Sequence, residues 1–333
     1  MPFSSSTQSA NGSPLATILA NDSNATTSRI SVAATAAASA ATQSSPTKST
    51  TGGLTFQPDA CVRLCDLLKQ WSGVKIEPSK SYLIQGRLRA LMVSEKLNDL
   101  ATLVDRISRP TGLNLRNQVI DMLTTHETLF FRDMHPFEVL IDRVIPGLLS
   151  DTKSTQSLEI HCAACSSGQE PYSIAMMLQE KLPANSHRRV NITATDISTG
   201  TIAQARKGEF MDHEIRRGLT PAQRKQFFEP INGPVGTPDS KLVQSIRSMV
   251  RFDVMNLTSP TNVSTVANKV DILLCRNVLI YFDDATCHEV MRSLASVVRP
   301  GGLLLLGASE MLRDKEGSFK TEIIGATRFQ RRV

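Results

Sequence analysis

Between Leu158 and Ser173 an apolar strand, Leu158 to His161, runs straight into the small-residue turn Ala163-Ala-Cys-Ser-Ser-Gly168 and then into a helical pattern opening Gln169-Glu-Pro-Tyr-Ser173. Small residues let the backbone approach a ligand closely, and the first turn of the following helix presents unpaired N–H groups beside it. The turn lacks the G-x-G-x-x-G spacing that cradles a pyrophosphate. A cofactor with an adenosine and no phosphate therefore fits better than a nicotinamide dinucleotide, and S-adenosylmethionine is the common one.

The rest of the chain supports an α/β reading. Strands are expected at Val190 to Ile197, Val250 to Met255, Val270 to Asn277 and Leu303 to Ala308, with helices at about Gln169 to Lys181, Ser198 to Lys207 and Asp284 to Val298. Such alternation argues for a mostly parallel, doubly wound sheet with helices on both faces. Phe319 to Arg332 alternates like a terminal β-hairpin. Gly208 to Met249 is too long for a simple crossover and carries Gly233, Pro234, Gly236 and Pro238, which marks an inserted subdomain.

Upstream, Asp59 to Leu123 repeats apolar residues at helical spacing, among them Val62, Leu64, Leu68, Leu83, Leu88, Leu91, Leu100, Leu103 and Ile107, and predicts a small helical domain. Its second helix, about Ser79 to Glu95, carries Lys80, Arg87 and Arg89, which are either ordinary solvated positions or a docking face for an acidic partner. Residues 1–52 are rich in Ser, Thr, Ala and Asn, and the composition predicts a disordered tail. The expected domains are thus 1–52, a helical domain at 53–128 and an α/β domain at 129–333 with an insertion at about 208–249.

Composition narrows the partners. No run is long and apolar enough to span a bilayer and the start lacks a signal-peptide pattern, so the expectation is a cytoplasmic protein without membrane insertion. The formal charge of +6 decides nothing by itself, but 5% aromatic content and dispersed Lys and Arg speak against nucleic acid. Cys162-Ala-Ala-Cys165 matches C-x-x-C, yet its distance from Cys61 and Cys65 and the absence of clustered His argue against a metal site.

Ligands of an open α/β sheet bind beyond the carboxyl ends of its strands. Glu170 opens the helix after the first strand, Asp196 ends the second, where an acid can accept ribose hydroxyls, Asn256 follows the third and Asn277 the fourth, with Tyr281 close behind. One polar residue at a strand end is usually a turn former; four in succession suggest a site. Thr124-Thr-His-Glu-Thr-Leu-Phe-Phe-Arg-Asp133 sits at the join of the two domains, with Arg132 either solvated or an anion ligand in a cleft.

These motifs, together with Ala194-Thr-Asp-Ile-Ser198, Asn256-Leu257, Cys275-Arg-Asn-Val-Leu-Ile-Tyr-Phe-Asp283, Pro300-Gly-Gly302 and Gly307-Ala-Ser-Glu310, resemble the bacterial chemotaxis receptor methyltransferases from about Leu54 to the C-terminus. The resemblance implies an S-adenosylmethionine-dependent methyltransferase fold and methyl transfer to glutamate carboxylates in the cytoplasmic helical region of membrane chemoreceptors, with S-adenosylhomocysteine as product and the enzyme a monomer. It implies cofactor contacts from His126, Thr128, Arg132, Glu170, Asp196, Asn256, Leu257, Asn277 and Val278, with Arg132 and Tyr281 beside the acceptor carboxylate. Lys80, Arg87 and Arg89 become receptor-docking residues, with Arg87 facing the cleft. His126 stands where the family usually has Asn.

Overall fold

The computed structural model describes residues 53–151, 157–187, 189–234, 236–259 and 269–333; the expected tail at 1–52 lies outside them. The helical region is α1 (Pro58–Ser72), α2 (Ser81–Ser94), α3 (Leu100–Ser108) and α4 (Leu113–Leu123). Local chemistry sets its ends: Pro58 occupies the first turn of α1, where its missing N–H is not needed, and the Asp99 side chain accepts the Thr102 N–H to start α3. Leu64, Leu68, Ile84, Leu88, Leu103 and Val119 form its buried centre.

A helical connector follows as α5 (Met134–Val139), a π-helical turn over Leu140–Val144 and α6 (Ile145–Asp151). The α/β region then runs β1 (Leu158–Ala163), α7 (Gln169–Lys181), α8 (Ala184–His187), β2 (Val190–Asp196) and α9 (Thr199–Lys207). The insertion comprises β3 (Glu209–Phe210), α10 (Asp212–Arg216), α11 (Pro221–Phe227), β4 (Phe228–Pro230), β5 (Ser240–Leu242) and α12 (Gln244–Arg247). The chain closes with β6 (Val250–Val254), β7 (Val270–Cys275), α13 (Asp284–Val297), β8 (Val298–Leu306), β9 (Phe319–Ile324) and β10 (Thr327–Arg332).

The main sheet has the order β6-β2-β1-β7-β8-β10-β9, parallel except for the terminal hairpin, while β3, β5 and β4 form a separate antiparallel sheet in the insertion. The chain leaves β1 toward β2 on one side and returns to β7 on the other. That reversal opens a crevice between the loops after β1 and β7.

The fifth expected strand begins earlier than its apolar run. β8 starts at Val298, and Pro300, Gly301 and Gly302 lie within it, because the pairing with β7 shifts between Val270 and Ile272 and accommodates the extra residues as a bulge. The fourth strand ends at Cys275, two residues before expectation, leaving Arg276 and Asn277 in the loop.

Gly73 brings the helical region against the sheet. It caps α1 in the left-handed conformation (φ 76°), and a Cβ there would meet Thr258 Cγ2 at 2.7 Å and Thr286 Cγ2 at 2.9 Å. Just beyond it the Lys75 N–H donates to the Tyr281 carbonyl at 2.9 Å, and Lys69 pairs with Asp283 at 2.6 Å. The Asn256 amide donates to the Trp71 carbonyl at 2.7 Å, while its oxygen accepts the Thr258 N–H and hydroxyl.

Candidate active site

The crevice is lined from both regions: by Thr124 to Leu129 and Arg132 from the connector, Ala164 to Ser166 and Glu170 after β1, Asp196 after β2, Met255 to Leu257 after β6, and Arg276 to Val278 with Tyr281 after β7. It therefore brings together all nine residues expected at the cofactor, and Tyr281 with them. Lys80, Arg87 and Arg89 do not line it.

Its loops are held in conformations that side chains disfavour. Among the described residues, Phe131, Asp133, Ala164, Ser166 and Asn277 are non-glycine residues with φ between 51° and 59°, and Lys96 is the one other such residue. Strain of this kind persists where surrounding bonds over-determine it. Asp196 supplies such bonds, one carboxylate oxygen accepting the Ser166 N–H at 2.8 Å and the other the Ser198 N–H at 3.0 Å. The Ser166 hydroxyl donates to the His126 carbonyl at 2.8 Å, and the Phe131 N–H donates to the Ser173 hydroxyl at 2.9 Å.

Glu310 does the same for the opposite wall. Its two oxygens accept four backbone N–H groups, from Asn277 (2.7 Å), Gly307 (2.8 Å), Val278 (2.9 Å) and Leu279 (2.8 Å). The sequence reading gave Glu310 no role, although an acid four residues after the apolar run Leu303 to Leu306 is a visible signal.

Arg276, likewise without an expected role, joins the two walls. Its side chain is 2% exposed, pairs with Glu170 at 2.9 Å and Asp133 at 3.0 Å, and donates to the Arg132 carbonyl at 2.9 Å. Phe137 lies beneath it, 5.1 Å from ring centroid to guanidinium carbon. Burial pushes the Glu170 carboxyl above the usual carboxylate range, and the Arg276 guanidinium pulls against that shift. The signal in the sequence was a charged residue directly after the apolar run Ile272-Leu-Leu-Cys275.

Three expected site residues have side chains occupied by the architecture. Arg87 donates to the Leu123 and Thr124 carbonyls at 2.9 and 3.2 Å, capping the end of α4 rather than facing the cleft. His126 Nε2 lies 2.9 Å from the Asp121 carbonyl, an acceptor only, which places its proton on that nitrogen and makes it a second cap of α4. The Asn256 side chain is engaged with Trp71 and Thr258, so Asn256 and Leu257 offer the cleft their backbone and the apolar Leu257 side chain. Arg132, half-buried, donates to the Glu127 carbonyl at 3.3 Å.

Cys162, Cys165 and Cys275 are buried free thiols whose ionisation burial pushes well above the usual thiol range. Neutral thiols are poor nucleophiles and poor metal ligands. Among the described residues no group of three or more His, Cys, Asp or Glu is placed to hold a metal ion.

Residues 60–124 match the CheR methyltransferase all-alpha domain and residues 126–327 the CheR methyltransferase SAM binding domain. The chain belongs to the CheR methyltransferase family. Curated relatives in the family include chemotaxis protein methyltransferase 1 of Vibrio cholerae, 37% identical over 259 residues, covering 77% of this chain and 90% of the relative. Chemotaxis protein methyltransferase 1 of Pseudomonas aeruginosa is 38% identical over 250 residues, covering 74% of this chain and 88% of the relative. This CheR-family chain is thus an S-adenosylmethionine-dependent methyltransferase acting in chemotaxis. The donor set fits that cofactor: Asp196 and Glu170 suit hydroxyl and ammonium donors, and Leu257 and Val278 suit an adenine face.

Proposed function

We propose that the chain transfers the methyl group to glutamate side chains in the cytoplasmic helical region of chemoreceptors, forming methyl esters, and that it works in the cytoplasm as a monomer. The observation carrying this is that Arg132 and Tyr281 line the same crevice as Asp196 and Glu170, so a cofactor end and an acceptor end are continuous.

When bound, S-adenosylmethionine supplies an electrophilic methyl group on a sulfonium. Asp196, with its loop already drawn in by the Ser166 N–H, offers remaining lone pairs to the ribose hydroxyls, and Glu170 offers its second oxygen to the ammonium of the methionine moiety. The acceptor glutamate is ionised at neutral pH, so no general base is needed. The remaining task is to hold its carboxylate in line with the methyl carbon, a positioning effect that can reach several kcal/mol. Arg132 and Tyr281 do that work. Because charge disappears during the transfer, an over-tight Arg132 contact would stabilise the ground state more than the transition state, so Arg132 orients rather than clamps.

Arg89 is exposed on α2 on the same side as Tyr82 and Val93, which are 65% and 63% exposed, and Lys80 is exposed just before the helix. A mixed basic and apolar face suits an acidic, amphipathic helix. The test is incubation with radiolabelled S-adenosylmethionine and purified receptor cytoplasmic domains. Alkali-labile label on the receptor supports the proposal; stable label, or label only on another signalling protein, overturns the substrate.

A further inference from the structure

Among the described residues, Glu170 is the one carboxylate lining the crevice that pairs with a buried cation, and that cation reaches it from the loop after β7, more than a hundred residues away in the chain. The Arg276 fork makes contact with two segments: Glu170 at the start of α7, and the Arg132 carbonyl and Asp133 carboxylate of the connector. Its Nε is buried with no acceptor among the described residues. Its orientation is dictated by the groups the fork must reach.

We propose that Arg276 is a positioning residue for cofactor binding: by gripping Glu170, Asp133 and the Arg132 carbonyl together, it holds the Glu170 carboxylate aimed into the crevice and fixes Arg132 beside it. This rests on the reading of Glu170 as a cofactor ligand. Glu127, Glu170 and Asp196 against Arg132 and Arg276 leave the lining of the crevice one charge negative. Such a lining favours a cationic sulfonium over the neutral thioether of the product through its carboxylates, and Arg276 contributes by favouring the ionised form of Glu170.

The groups facing Glu170 define what its loss exposes. Arg276 and Arg132 favour its charged form; burial and Glu310 oppose it. Asp133 shares the Arg276 fork, and the Cys162, Cys165 and Cys275 thiols nearby are neutral. Burial already outweighs the two cations, and without Arg276 the upward shift grows, so that Glu170 holds its proton to higher pH. Affinity for a cation then acquires a dependence on pH that passes through Glu170.

The experiment is calorimetric titration of S-adenosylmethionine and S-adenosylhomocysteine into the full chain and its Arg276→Met, Arg276→Lys, Glu170→Gln and Glu170→Gln/Arg276→Met variants between pH 6 and 8, with melting curves to establish folding. Each single change to Met or Gln is expected to weaken S-adenosylmethionine at least tenfold at pH 6 and to weaken the product less. The double variant should be no more than about threefold weaker than the worse single. Arg276→Met should regain affinity as pH rises, Arg276→Lys should regain less, and the double variant should show no such rise. If Arg276→Met does not fold, the same comparison rests on Arg276→Lys. Multiplying losses with a flat pH profile overturn the inference while leaving Glu170 as a ligand. An unaffected Glu170→Gln overturns both.

Discussion

The Glu310 carboxylate accepts the backbone N–H of Asn277 at 2.7 Å, and this bond holds Asn277 in a left-handed conformation (φ 59°) at the wall of the crevice. The same oxygen accepts the Gly307 N–H, while the other accepts Val278 and Leu279. Because both oxygens are doubly used, no orientation of an isosteric amide can replace them.

Glu310→Gln is therefore expected to behave as a severe change. Whichever way the amide turns, its NH2 group faces two N–H donors, leaving two buried donors unsatisfied at about 1–3 kcal/mol each. Thermal unfolding should show a loss of at least about 2 kcal/mol, and calorimetry a weaker cofactor complex. Wild-type melting and affinity would remove Glu310 as the support of this wall.

Asp196 has a comparable double duty, with one oxygen on Ser166 and the other on Ser198. Asp196→Ala is expected to weaken S-adenosylmethionine through lost ribose bonds and a loosened Ser166 loop together, by about 1–3 kcal/mol for each hydrogen bond removed. Asp196→Asn should recover part of this, since one oxygen still accepts a backbone N–H. Calorimetry showing undiminished affinity in a folded Asp196→Ala protein would take Asp196 out of the site.

His161 gives the protein a specific acid sensitivity. It lies on β1 with its ring buried against β2, the ring nitrogens 2.8 Å from the Thr193 hydroxyl and 3.1 Å from the Thr195 hydroxyl, and burial lowers its pKa from 6.5 to about 4. A depressed folded-state pKa means the unfolded chain binds the proton first. The stability associated with neutral His161 is present above about pH 6.5 and is lost as pH falls toward about 4, up to roughly 3 kcal/mol in total. His161→Gln, which does not titrate, should flatten the dependence of the melting temperature on pH in this window. An unchanged slope would mean that other groups set it.

The element pattern was legible in the sequence because periodicity and punctuation are local. Gln169–Lys181 and the terminal hairpin fall where the residues place them, and Ser198 and Gly208 bound α9 as its cap residues. Which side chains remain free for a ligand was not legible. Asn256 is occupied by a carbonyl 185 residues away, and Arg87 by carbonyls 36 and 37 residues away. Nor do Ala164, Ser166 and Asn277 announce left-handed backbone as glycine does. Their conformations depend on Asp196 and Glu310, whose partners become visible only once the sheet has brought the loops together.

Tyr281 tests the acceptor side. Its carbonyl is tied to the Lys75 N–H, so Tyr281→Phe removes a hydroxyl from the crevice while leaving that backbone bond in place. Turnover should fall about tenfold, as expected where placement governs rate, and cofactor affinity should not change. Full turnover with a receptor substrate would rule out a role for the hydroxyl.

The basic residues of the helical region should separate into two behaviours. Arg87 caps α4, and its replacement by Glu should lower the melting temperature, because two carbonyls lose their donor and a negative charge is placed at the negative end of a helix dipole. Lys80 and Arg89 are exposed and make no such hydrogen bond among the described residues, so Lys80→Glu should leave melting unchanged, raise the KM for receptor and make activity less sensitive to salt. Long-range attraction between a basic face and an acidic helix is screened by ions, whereas a hydrogen-bonded cap is screened little. Steady-state kinetics from low to high ionic strength, run beside melting curves, distinguishes the two. A receptor KM that stays constant in Lys80→Glu at low salt would exclude Lys80 from docking, and a fully stable Arg87→Glu would show that the α4 cap is dispensable.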